Sequence, residues 1–411
     1  MRSVCPSRLL SLSLCLVTLT GVVSCGSSAT SPSAADAGSG SLDAITADAI
    51  TVDAIAADAQ SVADGASTAF ADDAPDGLST AAQGQPIDAP DGRWTWVPFP
   101  DAFCANGTTT GLGVNLRRTS PRVLIYLQGG GACWSDITCN TLMTAVNFAT
   151  GYSAATFAGE SSALGPLSSP GGFFDRSSQT NPFKDYSYVY VPYCTGDLHA
   201  GSNVVQYGTA TAMHVGSRNL SAFLNRIVPT FSTAERVYLA GSSAGGFGAL
   251  INWWKTQAAF GGVRVDMIDD SGLLMPPDIA AQGNGAEPVQ RTQWNLAATL
   301  PPGCADCGTN SAALYEFYAK AFPTHRAALL SHEPDPVIAS FDGITLAQFT
   351  TGLEEVLTRQ LAPNPNFISF VAGTSGHVLW SSPSLAVNGV TVEQFLTRMA
   401  NDDPAAANVH F

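Results

Sequence analysis

The sequence predicts an α/β fold in which a mostly parallel central sheet is flanked by helices, formed by a single domain over residues 93–411. Three observations lead to this prediction. Short apolar or β-branched segments recur along the region, each ends in a turn rich in Gly, Ser or Asp, and several are followed by helical patterns. In such sheets the chemistry collects at the carboxyl ends of the strands, where these polar turns fall.

The clearest strand candidates are residues 123–128, 188–191, 236–240, 265–268 and 367–371. Their apolar residues run almost without interruption instead of alternating with polar ones. Continuous runs of this kind are typical of strands that are covered on both faces, as in a parallel sheet with helices on each side.

The strongest motif is Gly-Ser-Ser-Ala-Gly at residues 241–245. It directly follows the strand candidate that ends at Ala240 and precedes the apolar run 247–254. This is the G-x-S-x-G pattern in its strand–turn–helix context, so the fold is expected to be α/β-hydrolase-like. The motif spacing predicts Ser243, and not its neighbour Ser242, as a nucleophile.

A second glycine run, at residues 129–131, follows an earlier strand candidate. Without a Cβ in the way, backbone N–H groups of such a loop can approach an oxyanion closely. We expect an oxyanion hole made of the Ala244 N–H and one N–H from Gly130 or Gly131. The Lys-Ser/Thr pair that would complete a phosphate-binding P-loop is missing.

A serine nucleophile needs a base, and the chain has 6 histidines. His377 lies just after the last strand candidate, late in the chain, as the order Ser, acid, His requires. His199 precedes the serine and does not fit that order. It is expected to line the substrate cleft with Trp134 and Asp197, and the other histidines are expected to be structural.

The orienting acid should lie between the serine and the histidine. Asp335 follows the apolar segment 327–330 and stands at a strand end about 40 residues before His377, which makes it the best placed. Asp342 is the runner-up. For Asp269 and Asp270, which follow the strand next to the nucleophile, a structural role is expected.

Residues 1–25 are expected to be an export signal. Arg2 and Arg8 give its start a positive charge, and the apolar run that follows, residues 9–23, is short for a bilayer span. Residues 22–25 resemble a lipoprotein cleavage box in which Cys25 becomes lipidated. The alternative is an ordinary secretory signal. The expected location is accordingly the bacterial cell envelope, with membrane attachment through Cys25, or the exterior as a secreted protein.

Residues 26–92 hold 11 of the 33 acidic residues and no Glu, Lys or Arg. A five-residue repeat within 43–62 matches neither helical nor strand periodicity, so this segment is predicted to be a disordered linker. The Gly and Glu of an EF-hand loop are absent, which argues against calcium binding. The net charge of −15 excludes a nucleic-acid binder that depends on phosphate neutralisation.

Six of the 9 cysteines lie beyond the signal region, and an even number in an exported chain predicts disulfides. The close pairs Cys133/Cys139 and Cys304/Cys307 are natural local bridges, which would leave Cys104 with Cys194. Sequence alone does not choose among the possible connectivities. One Cys-x-x-Cys is a weak zinc signal, so no metal site is expected.

The segment 140–184 is long, rich in Gly and Ser, and carries several aromatic residues. A loop of this length in a compact domain is usually functional, so we expect a pocket wall or lid. The alternative is a plain surface insertion.

Five motifs occur in order along the domain: LIYLQGGGACW from residue 124, VPYCTGDLHAG from 191, LAGSSAGGFGA from 239, IDDSG from 268 and SGH from 375. Together they resemble the pectin acetylesterase family, which includes plant cell-wall deacetylases and the animal Notum carboxylesterases. The resemblance implies an α/β-hydrolase fold and a Ser-Asp-His triad, carried here by Ser243, Asp335 and His377.

The resulting hypothesis is a serine ester hydrolase, a carbohydrate acetylesterase of the pectin type, with an acetylated polysaccharide as its partner and no cofactor. Two alternatives stay open. One is a carboxylesterase or lipase for longer acyl chains. The other is a catalytically silent surface protein that binds glycans.

Overall fold

The computed structural model describes residues 84–411, so the signal, Cys25 and most of the predicted linker lie outside the described residues. Residues 84–92 differ from the expected linker, because they pack on the domain. Ile87 and Ala89 are buried, and the N–H of Ile87 donates to Thr230 Oγ1 at 2.7 Å. The folded region therefore begins before residue 93. The prediction of a linker followed the composition of this stretch, which does not indicate that Ile87 and Ala89 are buried.

Two antiparallel strands and a parallel set form the main sheet, and two short hairpins lie apart from it. In chain order the strands of the described region are β1 Thr95–Phe103, β2 Thr109–Asn115, β3 Arg122–Leu127, β4 Ser187–Val191, β5 Asn203–Tyr207, β6 Ala210–His214, β7 Arg236–Ser242, β8 Arg264–Asp270, β9 Ala327–His332, β10 Phe367–Ala372, β11 Ala386–Val387, β12 Val390–Thr391 and β13 Val409–His410.

The main sheet has nine strands in the order β1-β2-β4-β3-β7-β8-β9-β10-β13. All pairs from β4 to β13 are parallel, whereas β1, β2 and β4 pair in antiparallel fashion. This is the mostly parallel, α/β-hydrolase-like sheet that the continuous apolar runs predicted. All five strand candidates are present in it.

Helices cover both faces of the sheet and connect its parallel strands. The α-helices of the described residues are α1 Ala154–Glu160, α2 Gly216–Thr230, α3 Ala244–Ile251, α4 Trp253–Phe260, α5 Pro277–Ala280, α6 Ala286–Gln293, α7 Ala313–Ala321, α8 Pro336–Asp342, α9 Leu346–Glu355 and α10 Val392–Ala400. Short π-helical segments at Ile137–Thr141 and Val356–Leu361 and 3₁₀ turns at Pro166–Ser168 and Leu296–Ala298 complete the set.

Successive side chains of each strand pack into two separate cores, one on each face of the sheet. On β3, Val123, Ile125 and Leu127 join the core beneath α2, α3 and α4, while Leu124 and Tyr126 join the core on the opposite face. Since both faces are covered, the strands read as uninterrupted apolar runs in the sequence.

Most aromatic side chains of the segment 140–184 form part of the second core, whereas Phe148 belongs to a separate small cluster. Residues 166–180 also line an open pocket of about 970 Å³ with Tyr126 and Trp380, so this part of the segment forms a pocket wall, as expected. Phe157 and Phe173 are buried, and Phe173 lies 4.5 Å from Trp380 between ring centroids. Phe174 is half-buried against Tyr190, at 6.4 Å between centroids. Burying several aromatic rings offers the segment enough apolar contact to stay ordered despite its many Gly and Ser residues.

Three disulfides have the pairing that the spacing favoured. Cys104 bonds Cys194 across 90 residues, and the local pairs Cys133–Cys139 and Cys304–Cys307 close short loops. His214 lies close to the Cys133–Cys139 pair. Because those two sulfurs are bonded to each other, they do not offer the thiolates that a metal site would need.

Within residues 84–411, we find no helix that has both the length and the apolar character to cross a membrane.

Candidate active site

Ser243 stands in a sharp turn between β7 and α3, at the carboxyl end of a central strand. Its backbone angles are φ 57° and ψ −123°, a region that non-glycine residues rarely occupy and that costs free energy. The turn is held by hydrogen bonds: the Ser243 N–H donates to the Asp270 carbonyl at 2.7 Å, and the Ser243 carbonyl accepts from the Gly246 N–H at 2.8 Å. The strain places the serine side chain beyond the strand end, as in a nucleophile elbow.

The flanking glycines are required by close packing. A Cβ on Gly241 would lie 2.1 Å from the Gly245 carbonyl oxygen, and one on Gly245 would lie 2.0 Å from the carbonyl oxygen of Leu127. Such distances are far inside van der Waals contact. The elbow thus fits against the end of β3 only because both positions lack a side chain.

His377 and Asp335 meet at the same edge of the sheet. The Nδ1–H of His377 donates to Asp335 Oδ2 at 2.7 Å, although 42 residues separate them in the chain. Asp335 is fully buried at the start of α8, where its Oδ1 also accepts from the N–H groups of Val337 and Ile338 at 2.9 and 3.1 Å. One carboxylate therefore caps a helix and orients an imidazole.

The loop that carries His377 rests on a second histidine. His332, at the end of β9, bonds the Thr374 carbonyl through Nδ1 at 2.7 Å. A Cβ on Gly376 would lie only 2.7 Å from the His332 ring. The residue preceding His377 must therefore be small for the loop to lie flat on this ring, which agrees with the structural role expected for His332.

The glycine run after β3 lies directly against the serine elbow. A Cβ on Gly129 would come within 2.3 Å of the Ser242 carbonyl oxygen, and Gly130 and Gly131 have φ of +139° and +77°. Ala244 is the first residue of α3, so its N–H belongs to the turn that has no acceptor inside the helix. These backbone groups therefore lie next to Ser243, where the sequence predicts an oxyanion hole.

A cavity of about 90 Å³ opens beside Ser243 and the glycine run. Its walls are mainly apolar, and the polar groups that line it include the carboxyl groups of Asp342 and Glu287. Gly131, Ala132, Leu198, Ser243, Ala244, Phe247, Ile251, Leu273, Leu274, Met275, Ala280, Asn284, Ala286, Glu287, Gln290, Trp294, Leu296, Ser311, Ile338, Phe341 and Asp342 form its lining.

The runner-up acid, Asp342, lies at the opposite end of α8 from Asp335 and faces this cavity. Burial, together with the charges of Glu287 and Asp335, raises the pKa of Asp342 to about 7. Glu287 accepts hydrogen bonds from Arg291 at 2.7 Å and from Ser311 at 2.6 Å. Of the two candidate acids, Asp335 is the one that bonds His377.

The three residues expected in the substrate cleft, Trp134, Asp197 and His199, are absent from the lining of this cavity, and the geometry does not support that prediction. Asp197 is fully buried and accepts from Thr195 Oγ1 at 2.6 Å. Trp134 packs against the core. A polar residue in a glycine-flanked loop looks the same in sequence whether it faces a cleft or supports one.

His199 lies behind the glycine run. Its Nε2–H donates to the Gln128 carbonyl at 2.8 Å, and its ring contacts Tyr193 in a tilted arrangement, with 4.7 Å between centroids. Burial lowers the pKa of His199, which favours the neutral imidazole with one N–H to donate. Because Gln128 directly precedes Gly129, this hydrogen bond attaches His199 to the start of the glycine run at residues 129–131.

Sequence reasoning missed how many contacts Asp270 makes in this region. Its carboxylate accepts from Ser242 Oγ at 2.6 Å and from the N–H groups of Leu379 and Trp380 at 2.8 and 3.0 Å. The sequence signal for such a role was Asp-Asp-Ser-Gly at residues 269–272, at the end of the strand next to the one that carries Ser243. This signal does not tell which of the two aspartates, Asp269 or Asp270, makes the contacts.

A family model described as Pectinacetylesterase matches residues 96–307, more than half of the chain. The chain belongs to the pectinacetylesterase family. The matched region of this pectinacetylesterase-family chain contains Ser243, the glycine run and all three disulfides. It ends before Asp335 and His377, so those two assignments depend on the geometry described above.

Several curated proteins are similar to part of the chain. Palmitoleoyl-protein carboxylesterase notum2 of Xenopus laevis is 33% identical over 175 residues, which cover 42% of this chain and 33% of that protein. Palmitoleoyl-protein carboxylesterase NOTUM of Schmidtea mediterranea is 30% identical over 164 residues, covering 38% and 29%. The aligned part thus spans about a third of the length of these two relatives.

A third relative has lost activity, according to its name. The inactive palmitoleoyl-protein carboxylesterase notum1b of Danio rerio is 30% identical over 100 residues, covering 24% of this chain and 66% of that protein. The relatives of this chain thus include proteins named as carboxylesterases and one named as inactive.

Proposed function

We propose that this protein is a serine carboxylic-ester hydrolase that removes acetyl groups from a carbohydrate, acting through Ser243, His377 and Asp335. One observation carries the proposal. The His377–Asp335 hydrogen bond of 2.7 Å lies at the sheet edge where Ser243 occupies a strained elbow beside a small cavity. Nucleophile, base and orienting acid are the three groups that acyl transfer requires.

In the proposed reaction, His377 takes the proton of the Ser243 hydroxyl through Nε2 as the serine oxygen attacks the ester carbonyl. Asp335 keeps the Nδ1–H tautomer and stabilises the imidazolium that forms. The N–H of Ala244 and one from Gly130 or Gly131 stabilise the oxyanion. His377 then protonates the departing alcohol oxygen, and a water molecule deprotonated by His377 hydrolyses the acyl-enzyme.

The size of the cavity supports a short acyl group. An apolar cavity of ~150 Å³ is known to hold one benzene molecule, whereas the volume beside Ser243 is about 90 Å³. An acetyl group, with its two carbons, fits within that volume. A chain of sixteen carbons would require the surrounding side chains to move.

Two carboxyl groups in the cavity lining support the same choice. A long alkyl chain that filled the cavity would lie against Asp342 and Glu287, and burying a charged carboxylate against an apolar chain is costly. An acetyl group is too short to cover both. The carbohydrate part of the proposal draws on the family to which the chain belongs.

The first alternative is an esterase for longer acyl chains. It is favoured by the relatives from Xenopus laevis and Schmidtea mediterranea, which are named palmitoleoyl-protein carboxylesterases. The second alternative is a silent glycan-binding protein, and the name of one relative shows that a similar chain can lack activity. The strained Ser243 backbone argues against it, since strain at a site without a function has nothing to maintain it.

We further propose that the protein is exported and held at a bacterial cell envelope through a lipidated Cys25. Three disulfides in the described domain agree with export, because such bonds persist in oxidising compartments. Mass spectrometry of the N-terminal peptide tests the lipid. A diacylglyceryl group on Cys25 is expected, and an unmodified peptide cleaved elsewhere would contradict it.

The decisive experiment measures acetate released from acetylated pectin, acetylated xylan and peptidoglycan by the parent protein and by Ser243→Ala. We expect release from one polymer and a loss of about 10⁶-fold in kcat for the variant, the scale of losing a triad serine. Ser340→Ala, which changes an exposed serine of α8, is the matched control and should keep parental activity.

Other outcomes select the alternatives. If no polymer yields acetate while p-nitrophenyl octanoate is cleaved faster than the acetate ester, the longer-chain esterase is correct. If no ester is cleaved and a fluorophosphonate does not label the protein, the silent binding protein is favoured.

A further inference from the structure

The carboxylate of Asp270 connects two separate segments of the candidate site. On one side, Asp270 Oδ2 accepts from Ser242 Oγ at 2.6 Å, and the Asp270 carbonyl accepts from the Ser243 N–H at 2.7 Å. On the other, Oδ1 and Oδ2 accept from the N–H groups of Leu379 and Trp380 at 2.8 and 3.0 Å. Its partners thus adjoin the candidate nucleophile and the candidate base.

Every neighbour that bonds this carboxylate is a donor. Ser242 Oγ donates to Asp270 while accepting from Tyr126 OH at 2.9 Å, so its own hydroxyl hydrogen is committed to the carboxylate. Asp270 is fully buried, and no described Lys or Arg pairs with it. Burial raises the pKa of Asp270, whereas its hydrogen bonds and the nearby His377 act in the opposite direction.

We propose that Asp270 is a positioning residue that fixes the serine elbow and the His377 loop relative to each other. The inference rests on the proposed function. Ser243 enters from the end of β7 and His377 from the loop after β10, and these strands are separated in the sheet by β8 and β9. Asp270 stands at the end of β8, between them, and holds both with one rigid group.

The geometry of a carboxylate explains why an aspartate is needed there. Two backbone N–H groups and the hydroxyls of Ser242 and Ser271 donate to this side chain, so an acceptor is required on each oxygen at once. An asparagine can accept on only one side, so its NH₂ group would face the N–H of Leu379 or of Trp380. One end of the histidine loop would then lose its attachment while the side-chain volume stayed the same.

The neighbouring Asp269 provides a matched comparison. It is equally buried on the same strand, but its Oδ1 accepts from the Gly272 N–H at 2.8 Å, and its Oδ2 has no hydrogen-bond partner. None of its described hydrogen bonds reaches the loop after His377. Asp269→Asn therefore repeats the chemistry of Asp270→Asn without the connection between the two segments.

The test compares Asp270→Asn with Asp269→Asn in the full chain, using p-nitrophenyl acetate hydrolysis, fluorophosphonate labelling and backbone amide exchange over residues 376–381. For Asp270→Asn we expect kcat and the labelling rate to fall about 10²-fold, the scale of a ~1 Å misplacement, with KM within threefold of the parent. Exchange in the loop should accelerate. Asp269→Asn should stay within threefold in kcat with parental exchange.

Several outcomes would overturn the inference: parental kcat in Asp270→Asn, an equal loss in both variants, or a loss that appears in KM alone. If Asp270→Asn does not fold, Ser242→Ala replaces it, because this change removes one bond of the carboxylate and leaves the rest. It should lower kcat roughly tenfold, the factor expected for one hydrogen bond to a charged group, and an unchanged kcat would overturn the inference.

If the proposed esterase function is wrong, the measurements differ from those that would overturn the role of Asp270. A parent protein that neither hydrolyses an ester nor reacts with the fluorophosphonate would contradict the esterase assignment. The exchange measurement still decides on Asp270 in that case, since it reports attachment of the loop without requiring turnover.

Discussion

The serine elbow and the acid–histidine pair lie at the same edge of the sheet, yet the chain builds them in different ways. The elbow is contained in six consecutive residues, 241–246, whose glycines permit one tight turn. The acid–histidine pair joins residues 42 positions apart, on a helix start after β9 and a loop after β10. Errors in the first are therefore expected to affect folding, and errors in the second are expected to affect catalysis.

Among the tests of this difference between the elbow and the acid–histidine pair, Asp335→Asn is expected to have the largest effect, on kcat. Asparagine still caps α8, because its side-chain oxygen can accept from Val337 and Ile338. It does not hold the Nδ1–H tautomer of His377 as a carboxylate does, so kcat for p-nitrophenyl acetate should fall by about 10⁴-fold while the melting temperature changes little.

Asp342→Asn is the matched control for this variant, since it changes the other acid of the same helix. Its kcat should stay within tenfold of the parent because Asp342 does not bond His377. If Asp342→Asn instead produced the larger loss, the assignment of the orienting acid would be reversed.

A substitution in the serine elbow is expected to lower the stability of the fold, in contrast to the loss of kcat expected for Asp335→Asn. In Gly245→Ala the new Cβ would meet the Leu127 carbonyl oxygen at 2.0 Å, which forces β3 and α3 apart. We expect a loss of about 3 kcal/mol in the free energy of unfolding, the upper range for overpacking. Chemical denaturation followed by tryptophan fluorescence measures it.

Gly262→Ala provides the control for this change, because nothing lies within 4 Å of its Cβ position and its φ is not in the left-handed region. It should unfold at the parental denaturant concentration. An equally stable Gly245→Ala protein would mean that the elbow has more room than the distances indicate.

The same contrast explains what could be predicted from the sequence. Ser243, the glycine run and the parallel strands were recognisable because their signals are contiguous. Asp335 has no local motif and could be placed only by the apolar segment before it, by its distance along the chain from His377 and by the family resemblance. The contacts of Asp270 with Leu379 and Trp380 could not be predicted, because they join the ends of two strands that are not adjacent.

Elsewhere the predictions failed where burial decides the role of a residue. His199 and Asp197 carry polar side chains in a glycine-flanked loop, but they support the loop at residues 128–131 and the turn before α2 instead of lining the cavity. Ile87 lies in a stretch with the composition of a linker and is nevertheless buried. Such outcomes depend on tertiary packing, which local composition does not encode.

A smaller effect is expected on the preference for acyl chain length when Asp342 is changed. This residue is the last of α8 and lines the cavity beside Ser243. Asp342→Leu replaces a carboxyl of the cavity lining with an apolar side chain, which removes the cost of burying an acyl chain against it. The ratio of kcat/KM for p-nitrophenyl butyrate to that for the acetate ester should rise about tenfold, the range for one or two methylenes. Asp342→Asn should leave the ratio nearly unchanged, and a ratio that falls in Asp342→Leu would contradict the placement of the acyl group.

The smallest expected effect is a pH dependence of stability at the same residue. The pKa of Asp342 is raised to about 7 in the folded protein, first by burial and then by Glu287 and Asp335, whereas an aspartate in the unfolded chain has a pKa of about 3.9. Between these values the folded state binds the proton that the unfolded state has released, so this carboxyl reduces stability as the pH rises.

The melting temperature of Asp342→Asn minus that of the parent should therefore be lowest near pH 4, increase towards pH 7 and level off above it. We expect an increase of a few degrees, because charging the carboxyl beside Glu287 and in a largely apolar cavity is unfavourable and the amide avoids it. Other titrating groups are shared by both proteins, so their contributions largely cancel in the difference. A difference that stays constant from pH 4 to pH 8 would show that burial does not raise the pKa of Asp342, contrary to the position of this carboxyl in the lining of a largely apolar cavity.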